Sequence, residues 1–142
     1  MIKLILANKA EHVGSLENIL EQGLGNATLL QQPNIVWFLF VENKRPIGLA
    51  YGYAVSDVRL YVNIVLPGDA AHHPERKQIG KDLLQYLITV SSQTKFETTI
   101  PRQDTVKTRY FSQLGFKREG VARASIIVNG QLADQHYMGL EV

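Results

Sequence analysis

The sequence predicts a mixed α/β fold on one mixed sheet, and three observations predict it. Strand-like and helix-like segments follow the order β, α, three β, α, β, α, β, β. The three central strands follow one another across short turns, as an antiparallel meander does. The chain then closes on a helix, a glycine and a hairpin. The run Arg109-Tyr110-Phe111-Ser112-Gln113-Leu114 stops at Gly115, Phe116 opens an extended segment, and Asn129-Gly130 supplies a turn whose two residues need positive φ.

Ile2 to Leu6 reads as the first strand. Asn8 is placed to cap a helix, with Glu11 at its third position, and Val13, Leu16, Ile19 and Leu20 recur at helical spacing. Gly23-Leu24-Gly25-Asn26 ends that helix, and Ala27 to Asn34 reads as a loop with room for a short helical turn. Ile35 to Glu42 is a strand, Asn43-Lys44-Arg45-Pro46 a turn, and Ile47 to Val55 the next strand. Val58 to Leu66 alternates as a third. Pro67 to Pro74 is a loop before a helix, Arg76 to Val90, whose stripe is Ile79, Leu83, Leu84, Leu87 and Ile88. Phe96 to Ile100 is a strand and Asp104 to Leu114 a helix. Ile126 to Val128 continues the strand pattern into the closing hairpin. Trp37 and the phenylalanines of its strand read as core.

A chain of 142 residues fits a single domain over 1–142 with a sizeable core. Apolar residues at 45% and charged residues at 20% mark a soluble globular protein. A net charge of +2, with bases scattered along the chain, gives no argument for nucleic acid. Without cysteine there is no disulfide, thiolate metal site or cysteine nucleophile. His72-His73 lacks metal-ligand spacing to His12 or His136 and reads as solvated loop, so no metal is expected. The N-terminus is too short and strand-like for a signal peptide, and no segment offers the ~20 apolar residues that span a bilayer. No membrane partner is expected, and the expected location is cytoplasmic.

The segment His73-Pro74-Glu75-Arg76-Lys77-Gln78-Ile79-Gly80-Lys81 joins a strand to an amphipathic helix. The first N–H groups of a helix have no intrahelical acceptor and sit at its positive end, where a phosphate takes their hydrogen bonds. Gly80 lets a ligand approach the backbone, and Lys77 or Lys81 adds charge.

Order, junction and ending together resemble the Gcn5-related N-acetyltransferase superfamily, which binds acetyl-coenzyme A. The residues that carry the resemblance are His-Pro-Glu-Arg before Ile79-Gly80 and Leu83-Leu84, and Leu114-Gly115-Phe116. The terminal part, Gly115-Phe116-Lys117-Arg118-Glu119-Gly120-Val121 with Arg123, Asn129-Gly130, Asp134 and Met138, is similar to the branch that acetylates ribosomal-protein N-termini. The resemblance implies a central mixed, mostly antiparallel sheet, splayed at the cofactor site between Val58–Leu66 and Phe96–Ile100, with helices on both faces. It implies transfer of acetyl from acetyl-coenzyme A, as cosubstrate, to a primary amine, a protein N-terminus or a small molecule. Transfer would be direct, in a ternary complex. The cofactor would rest on Arg76, Lys77, Gln78, Ile79, Gly80 and Lys81. A backbone N–H among Ile64, Val65 and Leu66 would hold the oxyanion. The same comparison leaves room for a homodimer.

Two departures from the family pattern matter. With the loop's final glycine fixed at Gly80, Gln78 stands where its earlier glycine belongs and Glu75 at its Arg/Gln position; fixing Arg76 there instead requires a one-residue deletion. Phe111 stands where many members place the tyrosine that protonates the departing thiolate, with Tyr110 about 100° further round the helix. Asp104 occupies the place of a frequent Asn, on nearly the face of Phe111. The simplest placement puts Tyr110 in the core and Phe111 towards the cofactor; Tyr110 as the acid is the alternative. Glu97 is the candidate base, ahead of Asp57, Asp69 and His73. The rival readings are an acetyl-coenzyme-A-binding module with weak or no transferase activity, and a scaffold that has lost the cofactor site.

Overall fold

The computed structural model describes residues 1–25 and 27–142. In chain order the elements are β1 (Ile2–Leu6), α1 (Lys9–Leu24), a 3₁₀ turn (Thr28–Gln31), β2 (Val36–Glu42), β3 (Arg45–Ala54), β4 (Arg59–Val65), a second 3₁₀ turn (Gly68–His72), α2 (Arg76–Val90), β5 (Lys95–Pro101), α3 (Thr105–Gln113), β6 (Lys117–Val128) and β7 (Gln131–Glu141). The strands neighbour one another as β1-β2-β3-β4-β5-β7-β6 in a seven-stranded sheet. Pairing is antiparallel for β1/β2, β2/β3, β5/β7 and β6/β7, and parallel for β4/β5. This is the mixed, mostly antiparallel α/β fold the sequence predicts. Among the described residues no helix is long and apolar enough to cross a membrane.

The chain forms two compact units, and β4 contributes to both. The first holds Met1–Tyr53 and Val62–Val90. Asn8 caps α1 as predicted: its Oδ1 accepts from Ala10 N at 2.9 Å and Glu11 N at 3.4 Å. The reciprocal bond comes from His12 rather than Glu11, because the imidazole reaches back one turn and its Nδ1 accepts the Asn8 N–H at 2.9 Å. The helix stops at Gly25, whose N–H bonds to Glu21 O. Asn26, the last residue of the predicted stop, lies outside the described residues.

Leu16, Ile19 and Leu20 bury as expected, whereas Val13, at the rim of the stripe, stays 45% exposed. On α2, Ile79, Leu83, Leu84 and Leu87 bury and Ile88 does not. Period-2 alternation assigns the two sheet faces. Phe38 meets Tyr86 of α2 edge-on, with ring centroids 5.7 Å apart. Gly23 of α1 lies against the Val65 side chain. Trp37, Tyr51, Asn63 and Val65 therefore share the α1 face, and Phe38, Phe40 and Ile64 the α2 face. Gly48 of β3 has no room for a side chain: a Cβ there would stand 2.9 Å from Val65 O and 2.6 Å from Leu66 Cδ2. The backbone at the end of β4 owes its position to that glycine.

The second unit holds Ala54–Tyr61 and Ser91–Val142. Here the start of β4, Arg59–Tyr61, pairs with Lys95–Glu97 of β5, and β7 pairs with β5 along its length. Asp104 caps α3 by accepting from Lys107 N at 3.1 Å. The helix ends at Leu114, and Gly115 adopts φ 102°, a conformation an L side chain rarely takes. Phe96, Ile100, Tyr110, Phe111, Leu114, Phe116 and Met138 form this unit's core.

The other face of its strands is polar, with Tyr61 bonded to Thr99 at 3.1 Å and Lys95 to Glu119 at 2.7 Å. β6 begins at Lys117, next to the predicted start of the extended segment at Phe116, and runs through Ile126–Val128; its register breaks twice, between Arg118 and Gly120 and between Ala122 and Ile126. In the second break Ala124 adopts φ 47°, its N–H donates to Asp134 Oδ1 at 2.9 Å, and Ser125 Oγ donates to Ala122 O.

Candidate active site

In the first unit β4 runs through Ile64 and Val65, both buried, into half-buried Leu66. The predicted plain loop contains the 3₁₀ turn before it reaches α2. At the start of α2, Arg76 N donates to His73 O at 3.0 Å and Ile79 N to Glu75 O at 3.0 Å. The N–H groups of Lys77 and Gln78, between them, have no acceptor among the described residues. Lys77, Gln78 and Lys81 are exposed, and Ile79 and Gly80 are buried. The first turn carries no acidic residue.

Two free backbone donors and two exposed ammonium groups at a positive helix end suit a phosphate chain. Gln78 does not obstruct them. It takes no positive φ, and its Nε2 donates to Asp82 Oδ1 at 2.8 Å, which holds the side chain along the helix. The chain thus replaces the expected glycine with an ordinary helical residue.

Glu75, at the position where the family pattern has Arg or Gln, turns to β1: its Oε1 accepts from Ile2 N at 3.2 Å. His73 is not the solvated loop residue expected. Its Nε2–H donates to Glu42 Oε2 at 2.8 Å and its Nδ1 accepts from Glu75 N at 3.0 Å, which fixes the tautomer. One ligand atom from each of Glu42, His73 and Glu75 lies within 4.8 Å of the others, so a cation-binding type of set exists where spacing alone gave no hint. Glu42 belongs to β2, far from His73 in sequence, and only the fold reveals it.

In the second unit Glu97 is gripped by Arg59, Nε to Oε2 at 3.0 Å and Nη2 to Oε1 at 2.8 Å. Arg59 is held above its ordinary pKa by that hydrogen bond and then by the Glu97 charge. Both oxygens of Glu97 are thereby occupied. Tyr110 is 5% exposed and Phe111 fully buried; Phe111 packs edge-on to Tyr110 and, at 5.0 Å between centroids, to Phe116. Both rings therefore serve the packing of this unit, Phe111 included, and Phe111 presents no surface to a ligand here. Asp104 is engaged as the cap of α3. Lys107, half-buried one turn on, has its ammonium pKa lowered to about 8 by burial, against the opposing pull of Asp104.

Three residues of the first unit escaped the sequence reading as site candidates: Trp37, Tyr51 and Asn63. Asn63 Nδ2 donates to the Tyr51 hydroxyl at 3.1 Å, yet Asn63 Oδ1 and Trp37 Nε1 are buried with no partner among the described residues. The available signal was Asn63 itself, an amide inside the apolar run Val62 to Val65.

No protein-family model matches the sequence, and no curated protein matches it either. Solved structures do match. A protein provisionally assigned as a phosphinothricin N-acetyltransferase superposes at TM-score 0.86 with 12% identity, over 100% of this chain and 99% of that one. The spermidine N-acetyltransferase of Vibrio cholerae in complex with coenzyme A and spermine gives TM-score 0.78 and 14% identity, over 99% and 95%. A dodecameric form of the Vibrio cholerae enzyme gives 0.81 and 12%, over 99% and 93%. At such identities the likeness establishes architecture and no more, and on that ground this chain has the Gcn5-related N-acetyltransferase fold.

Proposed function

We propose that the 142 residues act as one acetyltransferase domain, moving acetyl from acetyl-coenzyme A to a primary amine by direct transfer in a ternary complex. The observation that carries this reading is the start of α2, reached from β4 within one unit, where Lys77 and Gln78 offer unpartnered N–H groups beside exposed Lys77 and Lys81. Neighbours of the same fold are named for acetylating spermidine and phosphinothricin, and one holds coenzyme A and spermine. The pyrophosphate would rest on Arg76 to Lys81, and an N–H among Ile64, Val65 and Leu66 would take the oxyanion as the amine attacks the thioester. The carbon–nitrogen bond forms, the carbon–sulfur bond breaks, and the amine proton leaves to water.

The sulfur needs no acid in the same step, because a thiol with a pKa near 8.5 departs readily as thiolate. On this reading Tyr110 packs and Glu97 organises Arg59. The acceptor is a protein N-terminus or a small-molecule amine; the terminal run resembling the ribosomal-protein branch favours the former. The reading includes a cytoplasmic enzyme without a metal, self-associating as the dodecameric neighbour does.

Calorimetric titration with acetyl-coenzyme A, followed by a coenzyme A release assay on an amine panel, tests it. Binding with turnover is expected. Binding without turnover would favour the second reading, a coenzyme-A-binding module, which the engaged state of Glu97 and the burial of Tyr110 support. Absence of binding would sink both.

A further inference from the structure

Two buried polar atoms in the first unit lack partners. Trp37 is 3% exposed and its indole N–H meets no acceptor; Asn63 is 4% exposed and its Oδ1 meets no donor, among the described residues. Turning the Asn63 amide over would exchange its two ends and still leave one unpartnered. The two groups share a neighbour. Trp37 and Tyr51 are register partners with ring centroids 5.3 Å apart, and the Tyr51 hydroxyl accepts from Asn63. Buried groups left this way are costly and ask for an explanation, such as a ligand or a catalytic task. Asn63 immediately precedes Ile64, the first of the β4 residues assigned to the oxyanion.

We propose that Trp37, Tyr51 and Asn63 form the seat of the acceptor amine, and that this seat selects amines of low basicity. The inference rests on the acetyltransferase reading above. Asn63 Oδ1 takes one N–H of the amine, which leaves the nitrogen lone pair for the thioester carbon. The Trp37 N–H meets a carbonyl or hydroxyl oxygen carried beside the amine.

The seat contains no charge. Among the described residues the buried polar ones are Asn63, Thr98 and His136, and none is a carboxylate. An ammonium brought to Asn63 would lose hydration that the three neutral side chains of the seat replace with no counter-charge of their own. An α-amine with a pKa near 8 is roughly a quarter to a third neutral at pH 7.5, whereas an alkyl amine near 10.4 is neutral in about one molecule per thousand. An α-amine next to a carbonyl, as in a peptide, supplies both the weakly basic nitrogen and the oxygen for Trp37.

The test compares a peptide bearing a free α-amine with a simple alkyl diamine, on the wild-type protein, Asn63→Leu and Trp37→Phe. The wild-type protein should show kcat/KM at least about tenfold higher for the peptide at pH 7.5. Asn63→Leu should lower that value at least about tenfold and leave the Kd for acetyl-coenzyme A within about twofold. Trp37→Phe, which removes the N–H from an aromatic position, should lower peptide kcat/KM at least about threefold and reports independently of Asn63→Leu folding.

Unchanged acceptor kinetics in both variants, or preference for the diamine, each overturns the seat. Wild-type protein that neither binds acetyl-coenzyme A nor turns over removes the acetyltransferase reading and the seat with it. Wild-type turnover with indifferent variants removes the seat alone.

Discussion

The Arg59 guanidinium engages both carboxylate oxygens of Glu97, at 3.0 and 2.8 Å, and the Glu97 side chain is only 12% exposed. Both of its oxygens are taken by guanidinium N–H donors, so reaching the proton of an amine would first require breaking the fork. Glu97→Gln should therefore leave kcat within about threefold of wild type, since removal of a working general base costs about 100-fold or more. A steady-state assay decides, and a loss of that larger size would restore Glu97 as the base.

Tyr110 offers the corresponding test for the acid. Its ring is buried against Phe111. Tyr110→Phe keeps the ring and deletes the hydroxyl, so it should cost about 1 kcal/mol of stability and leave turnover within about threefold. A pH–rate profile that loses its alkaline limb in the variant, with a large fall in kcat, would instead identify Tyr110 as the proton donor.

Lys77→Glu should move stability and affinity in opposite directions. The first turn of α2 has no acidic residue, so a carboxylate there complements the helix dipole and adds about 0.3–1 kcal/mol. The same carboxylate repels a pyrophosphate, and KM for acetyl-coenzyme A should rise about tenfold or more. Thermal unfolding and initial rates on one preparation check both signs. A variant that gains stability and keeps its KM would remove the phosphate from this helix end.

Lys107 gives a pH signature. Its folded pKa of about 8 lies below the ordinary 10.5, so the folded chain prefers it neutral. The charged form costs stability, fully so below pH 8; the cost fades as pH rises from 8 towards 10.5 and is absent above. Lys107→Met should then be more stable than wild type by about 1–3 kcal/mol at pH 7, with the gap closing towards pH 10.5. Equal gaps at pH 7 and pH 10 would show that the ammonium is not the source.

Local signals reached most of the fold. Asn8, Gly25, Gly115 and Asn129-Gly130 mark their boundaries through short-range chemistry that the structure reproduces. The middle of β6 was less legible than its ends, because its register breaks interrupt the alternation by which a strand is read. The site divided along similar lines. The start of α2 could be read from the junction, since its donors are a local property of any helix end. The Glu97–Arg59 fork, the Glu42–His73 pair and the Trp37–Tyr51–Asn63 group join residues distant in sequence, and no local pattern encodes who will face whom.

β6 stands at one end of the strand order, where a free backbone edge usually invites another strand. Its second break turns Ala124 into a left-handed kink whose N–H is already taken by Asp134. An incoming strand would find a staircase with a step missing. The break divides the free edge into two short stretches, and an incoming strand cannot pair along its whole length in one register.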